Sequence, residues 1–557
     1  MNFNPYKRLF QYFQKNPTFI LSLIIILSSF TISLLFPVYF REDDTEYLTY
    51  AHQTTNFFLA FVPSKAIIQG MFRPVQNMTW WLLFRFFGLN PFPYQLFCTL
   101  LYGFSFVFFF KLIERLFNKK IAVFTLISYL CLFYSLCYII FWFSDLTYIL
   151  ELFFMNLSLY LLVKSIQDNR GYIWGVLFYL VAVLSKEPAA MIVPLGTLCY
   201  LWSDWNNLAG ENRKRLILVF SLCLFGILYI LLNPYVKGRQ GFLYFSEISE
   251  VITFVSERWF IYSDYLISET GLLLWLATIY WAIRLLFKER KCLGQKRFGL
   301  ILCFSIAVSL VATLFQEAAL PVLFLALIVI FMKRTKASVG SVWFTFSLLG
   351  ILFIQFIVRT LLIEASFGIV IIVGVALFDI FNHLKIEWQR WPKKYGRTVG
   401  IILGGAILLG TALFGIPLFN KYLGALRVLS ANRQNFKDAV RYVIDNEMEE
   451  SSRLLIVDYE VMGFTHEDIV RLPNREKAHR QKTMVKEDVQ RLLNIMDREN
   501  IIVGHLGDYL ASRETEVCYL LVMNNYEDHF LKSIDINKTN IYETKKYNEC
   551  AKIYRLR

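Results

Sequence analysis

The chain has 557 residues, 56% of them hydrophobic and 17% aromatic, with 57 Lys+Arg against 43 Asp+Glu, a formal charge of +14 and a mean hydropathy of +0.47. A soluble nucleic-acid binder would wear such charge on a polar surface, but 53 Phe and only 18% charged residues leave too little polar surface to cover one globule. The main solvent is therefore lipid, and no nucleic-acid partner is expected.

A helix needs about 20 apolar residues to cross a hydrocarbon core of about 30 Å, and about thirteen runs of the chain approach that length. In chain order they cover 18–40, 94–110, 121–140, 146–163, 171–184, 188–202, 215–232, 271–287, 298–315, 318–332, 340–358, 366–382 and 398–419. The first follows Lys7, Arg8 and Lys15, exceeds a signal-peptide core and lacks a small-residue cleavage site, so it reads as a signal anchor. The fifth and sixth are short enough to form one tight hairpin or a re-entrant pair.

Every second loop is basic. Lys111, Arg115, Lys119 and Lys120 fill one, Arg213, Lys214 and Arg215 another, and Lys333, Arg334 and Lys336 a third. Because short cytoplasmic loops are enriched in Lys and Arg, the amino terminus is expected in the cytoplasm and, with an odd number of spans, the carboxyl terminus outside. The bilayer is that of a bacterial inner membrane, or of the endoplasmic reticulum in a eukaryote.

Beyond about residue 430 the sequence turns polar. Phe436, Val440, Val443 and Ile444 recur at helical spacing, 485–496 reads as a second helix, and 453–457, 501–503 and 517–523 read as short buried strands. The expected fold class is thus a polytopic α-helical membrane protein: a transmembrane catalytic domain over 1–430, with a first external loop at 41–93, followed by a small extracytoplasmic α/β domain over 431–557. Seven of nine cysteines lie in or beside apolar runs. The other two, Cys518 and Cys550, form either a disulfide, which an oxidising compartment permits, or two separate buried thiols. No C-x-x-C and no ligand-like pair of histidines points to a metal finger.

The chemistry concentrates in the external loops. Arg41-Glu42-Asp43-Asp44-Thr45-Glu46-Tyr47 places four acids within five positions at the membrane surface, where anchoring normally uses Trp, Tyr, Lys or Arg. A carboxylate there serves as a general base or holds a divalent metal, for which Asp43 and Asp44 are the candidates; a solvated acidic loop is the plainer reading. Arg73-Pro74 follows, then the aromatic stretch 77–88, too short to span and suited to lie in the interface as a floor beneath a cleft. The Arg73 guanidinium fits a carboxylate or phosphate fork, or pairs with acids of its own loop. Asp145 precedes the fourth run, Glu151 lies inside it, and Ser185-Lys186-Glu187 forms the turn between the fifth and sixth. A lysine there is costly to desolvate unless paired; Glu187 is the nearest structural partner and a bound phosphate the functional one. Arg359, ending the eleventh run, is a weaker cationic candidate, and Asp379 in the twelfth is expected to reach toward the cytoplasm without a role.

The order of these features resembles the GT-C glycosyltransferases, in particular the protein O-mannosyltransferase-like and dolichyl-phosphate-mannose-dependent members, over roughly the first 210 residues. Asp43-Asp44-Thr45-Glu46-Tyr47 is similar to the acidic motif after their first span, Arg73-Pro74 to the R-P of their first loop, and 88–97 (G-L-N-P-F-P-Y-Q-L-F) to the lead-in to their second span. Asp145 resembles their aspartate before the fourth span and Ser185-Lys186-Glu187 their S-K-E turn. Where many relatives have H-x-x-N, this chain reads Gln95-Leu96-Phe97-Cys98, and no tetratricopeptide period follows the membrane part.

The resemblance implies a sugar donor on a polyprenyl phosphate, used as substrate, and an acceptor hydroxyl on a protein, lipid or polysaccharide. Asp43 would be the general base, with Asp44 orienting it. Lys186, Arg73 and Arg359 would bind the donor phosphate, and Glu46, Asp145 and Glu187 would be supporting acids. Two other readings compete: a polysaccharide polymerase or ligase using a diphosphate-linked oligosaccharide, and a lipid or solute transporter. The internal repeats and paired broken spans usual for transporters are not evident in the sequence.

Overall fold

A computed structural model describes residues 17–40, 43–62, 67–68, 71–132, 139–140, 143–205, 212–232, 262, 277–286, 316–352 and 362–390, scattered positions between 424 and 445, and 453–456, 486–495, 502–505, 518–522, 538–546 and 549–556. The expected runs at 298–315 and 398–419 fall outside these residues, as does Arg359.

The helices follow the apolar runs. They are α1 (Pro17–Leu35), α2 (Asp43–Gln53), α3 (Pro74–Phe87), α4 (Pro91–Leu116), α5 (Lys119–Leu132), α6 (Leu146–Asp168), α7 (Tyr172–Ser185), α8 (Ala189–Asp204), α9 (Asn212–Leu232), α10 (Ala277–Leu286), α11 (Gln316–Met332), α12 (Ser338–Leu352) and α13 (Leu362–Arg390). Among the described residues, Pro91–Leu116, Phe143–Asp168 and Leu362–Asn382 are long and apolar enough to cross a membrane, and five shorter helical stretches are apolar.

Local chemistry sets the boundaries. Asn90 caps α4 by accepting from the Phe92 N–H, and Pro91 occupies its first turn, where no amide partner is needed. The α6–α7 connection turns on Asn169 and Gly171, both at positive φ (52° and 82°), which asparagine and glycine tolerate best. It closes an antiparallel hairpin in which Ser158 Oγ donates to the Gly175 carbonyl at 2.8 Å. The fifth and sixth apolar runs are α7 and α8, two helices joined by the three-residue turn 186–188.

The middle of the core is α13, whose side chains from Leu362 to Val375 are nearly all buried. It lies against α5 and α12. A Cβ on Gly368 would strike the Phe344 backbone, and one on Gly340 the Gly368 carbonyl, so small residues let α12 and α13 approach closely. Asp379 pairs with Arg284 from α10.

A short antiparallel pair, β1 (Ile67–Ile68) and β2 (Met71–Phe72), precedes α3. In the C-terminal part, β3 (Arg453–Ile456), β4 (Ile502–His505), β5 (Cys518–Val522), β6 (Lys538–Lys546) and β7 (Glu549–Leu556) form one sheet in the order β4-β3-β5-β7-β6. The first three strands are parallel, and β6–β7 is an antiparallel hairpin added to the edge of β5. Helix α14 (Lys486–Ile495) precedes β4. The register settles the cysteine question. Cys518 stands opposite Leu556, while Cys550 is six residues further along β7, opposite Lys545. At about 3.4 Å per residue they are roughly 20 Å apart, far beyond the span of a disulfide.

Candidate active site

Helix α2 begins at Asp43 and carries the acidic motif. Asp44 is fully buried, and its Oδ1 accepts the Ser144 backbone N–H at 2.6 Å. This bond joins the loop after α1 to the turn before α6, two segments 100 residues apart. Ser144 is held from the other side as well, its carbonyl accepting from Gln76 Nε2 at 3.0 Å. Asp44 is thus a tether that fixes the start of α2. The side chain of Asp43 lies outside the described part; its backbone opens the helix immediately before that tether.

The aromatic stretch forms α3, and its inner face is the floor of this region. Trp80 is completely buried, stacks on Tyr47 of α2 at 5.4 Å and 12°, and stands 5.5 Å from Tyr94. Phe40 fills the remaining angle against Tyr94 and Phe143. On the other face Trp81 Nε1 and Arg85 Nη2 both donate to the Thr54 carbonyl, at 2.9 and 2.7 Å, so α3 clamps the end of α2. Phe86 and Phe87 are exposed.

Two ionic clusters meet at the α7–α8 turn. In the first, Arg73 at the start of α3 donates from Nη2 to Glu187 Oε2 at 3.2 Å. Burial alone would push the Glu187 carboxyl up; the Arg73 guanidinium, a backbone hydrogen bond and the charge of Lys186 together more than reverse this and hold it below its usual value. Burial likewise works against the Arg73 charge, and Glu187 together with Tyr47 and Tyr148 outweighs it, so the guanidinium is held more firmly protonated than usual.

The second cluster centres on Lys186, which is only 6% exposed. Its Nζ pairs with Glu364 at the start of α13, lies 3.7 Å from Glu151 Oε2, and sits 3.5 Å above the ring of Tyr148. Glu151 and Glu364 are themselves fully buried. Glu151 Oε1 also accepts the Ala189 N–H at 2.8 Å, so this acid caps α8, where a carboxylate is favoured by the helix dipole. Thr147 Oγ1 donates to the Ser185 carbonyl at 2.9 Å and locks the turn onto α6.

The expected Lys186–Glu187 pair is therefore not what forms. Lys186 is extended (φ −162°, ψ 149°), a conformation that sends neighbouring side chains to opposite sides, so Lys186 turns toward α13 and Glu187 toward Arg73. Arg73 likewise pairs with this distant turn. Glu364, absent from the sequence reading, is the added member; an acid inside an apolar segment was the signal for it. Asp145 stands at the N-cap of α6 without a side-chain capping bond. Glu46 lies one turn beyond Asp43 on α2 and pairs with Arg491 at 2.9 Å. Among the described residues, no group of three or more His, Cys, Asp or Glu side chains is placed to hold a metal.

Apolar helices packed around α13 make this a polytopic helical membrane protein. Within it, residues 73–230 match the family model of the dolichyl-phosphate-mannose-protein mannosyltransferases, to which this stretch is similar. Among solved structures, ArnT from Cupriavidus metallidurans bound to undecaprenyl phosphate aligns over 97% of this chain and 98% of its own, at 13% identity and a TM-score of 0.40. The apo state of the same protein aligns over 96% and 97%, at 11% identity and a TM-score of 0.42. Scores at this level establish neither a shared fold nor a shared activity. No curated protein sequence matches the chain.

Proposed function

We propose that this protein is a membrane glycosyltransferase that moves a sugar from a polyprenyl-phosphate donor to an acceptor hydroxyl on the extracytoplasmic side, with the sheet-bearing part 431–557 on that side too. One observation carries the reading. The stretch similar to the mannosyltransferase family starts at Arg73 and contains Asp145, Glu151, Lys186 and Glu187, and the Asp44–Ser144 bond brings the acidic helix to the same turns.

In this mechanism Asp43 takes the proton of the acceptor hydroxyl as its oxygen attacks the anomeric carbon. The bond from that carbon to the phosphate oxygen breaks, and its electron pair leaves with the polyprenyl phosphate, inverting the anomeric centre. Lys186 and Arg73, with Arg359 assigned from sequence alone, meet the charge that develops on the leaving group. Asp44 keeps the Asp43 end of α2 in register through Ser144. To reach a phosphate, Lys186 has to exchange one of its two carboxylate partners for it.

Asp43→Asn is expected to lower transfer by roughly 10²–10⁴-fold in membranes supplied with a polyprenyl-monophosphate sugar. Full activity in that variant would sink the assignment. Consumption of a diphosphate-linked oligosaccharide in place of the monophosphate donor would favour the polymerase or ligase reading.

A further inference from the structure

The C-terminal part, with the residue just before it, meets the acidic region at two places. Ser430 Oγ donates to the Pro37 carbonyl at 2.5 Å, and the ring of Phe436 lies 6.1 Å from that of Tyr39, both rings buried. These contacts grip the chain between α1 and α2. Further on, α14 packs against α2, with Arg491 Nη2 2.9 Å from Glu46 Oε1 and Leu493 buried in the common core.

Helix α2 has only 11 residues, too few to hold a helix by itself in water, so its partners fix its direction. Among the described side chains of α2 that make such contacts are Asp44 to Ser144, Tyr47 to Trp80 and Glu46 to Arg491. The first two partners come from the helical part, and the third comes from the C-terminal part. Glu46 stands three residues after Asp43, on the same helical face.

We propose that Arg491 is a positioning residue for the transfer step: through Glu46 it sets the direction of α2, and so of Asp43, and thereby makes the C-terminal part a component of the active site. The inference rests on Asp43 being the base. A pair this exposed, at 33% and 27%, adds little to overall stability, so its loss misaligns α2 without unfolding the protein. A misplacement of about 1 Å costs up to about a hundredfold in rate.

The test uses the full chain in proteoliposomes, with Arg491→Glu, Glu46→Arg, the double swap and Arg491→Lys, and a polyprenyl-monophosphate hexose as donor. Each charge reversal is expected to lower kcat by roughly tenfold while the donor KM stays within about twofold. The swap recovers at least half of the wild-type kcat, and Arg491→Lys keeps most of it. Reversals without effect, or a swap as slow as the slower single variant, would overturn the proposal. Hydrogen exchange separates this failure from that of the glycosyltransferase reading, because it needs no substrate. If the wild type transfers nothing, faster exchange of the α2 amides in Arg491→Glu still supports the contact, and unchanged protection overturns it.

Discussion

Lys186 and Glu187 are neighbours in the chain, yet they belong to two ionic clusters of different balance. Glu187 has Arg73 as its partner at 3.2 Å, one charge against one. Lys186 stands between Glu364 and Glu151, one cation against two buried carboxyl groups, of which Glu151 also serves the amino end of α8. The first arrangement is a staple between the α7–α8 turn and α3. The second holds a carboxyl group in excess of its cations, and under the proposed mechanism one of its contacts would give way to the donor phosphate. Pairing therefore does not by itself exclude Lys186 from the proposed role.

The balance argument breaks most visibly at Lys186. Lys186→Met leaves two buried carboxyl groups without their cation and is expected to cost about 3–5 kcal/mol or prevent folding, measured by thermal unfolding in detergent. A Lys186→Met protein as stable as the wild type would refute the two-carboxylate cluster. Glu187→Gln strands only the guanidinium of Arg73, a loss of about 3 kcal/mol at the low end of the same range. It also carries a pH signature. Because Glu187 titrates below its unfolded value, its contribution is present above about pH 4.3 and fades as the pH falls through the lowered folded value. The gap between wild type and Glu187→Gln should therefore close on strong acidification. Glu364→Gln has the smallest effect and the opposite sign. Stability changes little, while the donor half-saturation falls roughly fivefold, equivalent to about 1 kcal/mol, as Lys186 is released toward the phosphate. A rise in half-saturation would show instead that Glu364 holds Lys186 in its working position.

Much of the helical architecture was legible because apolar length is a direct physical demand of the bilayer. The runs at 94–110 and 146–163 became α4 and α6, extended at their polar ends by capping and amphipathic turns that hydropathy does not register. The central strands were legible too, since R-L-L-I and C-Y-L-L-V are short apolar blocks. The β6–β7 hairpin was not. K-T-N-I-Y-E-T-K-K is an edge strand so rich in polar and charged residues that no apolar period-two pattern shows in it. At the site, the acids and cations were legible as residue types but their pairing was not. Arg73 finds Glu187 across 114 positions and Lys186 finds Glu364 across 178, distances over which only the folded topology decides. Glu187, the structural partner offered for Lys186 beside a phosphate, turns elsewhere, because proximity in sequence says nothing about direction once the backbone is extended.

The cap that Glu151 places on α8 limits how an anion can be received. A helix amino terminus ordinarily offers free N–H groups and a positive dipole end to phosphate. Here the Ala189 N–H goes to Glu151, the Ala190 N–H to the Glu187 carbonyl and the Met191 N–H to the Pro188 carbonyl. The amino end of α8 is already taken up by the chain's own oxygens. In the proposed mechanism, recognition of the donor phosphate at this turn would therefore fall to long, rotatable cationic side chains, which can follow a leaving group as it moves away, whereas a fixed cradle of amides cannot.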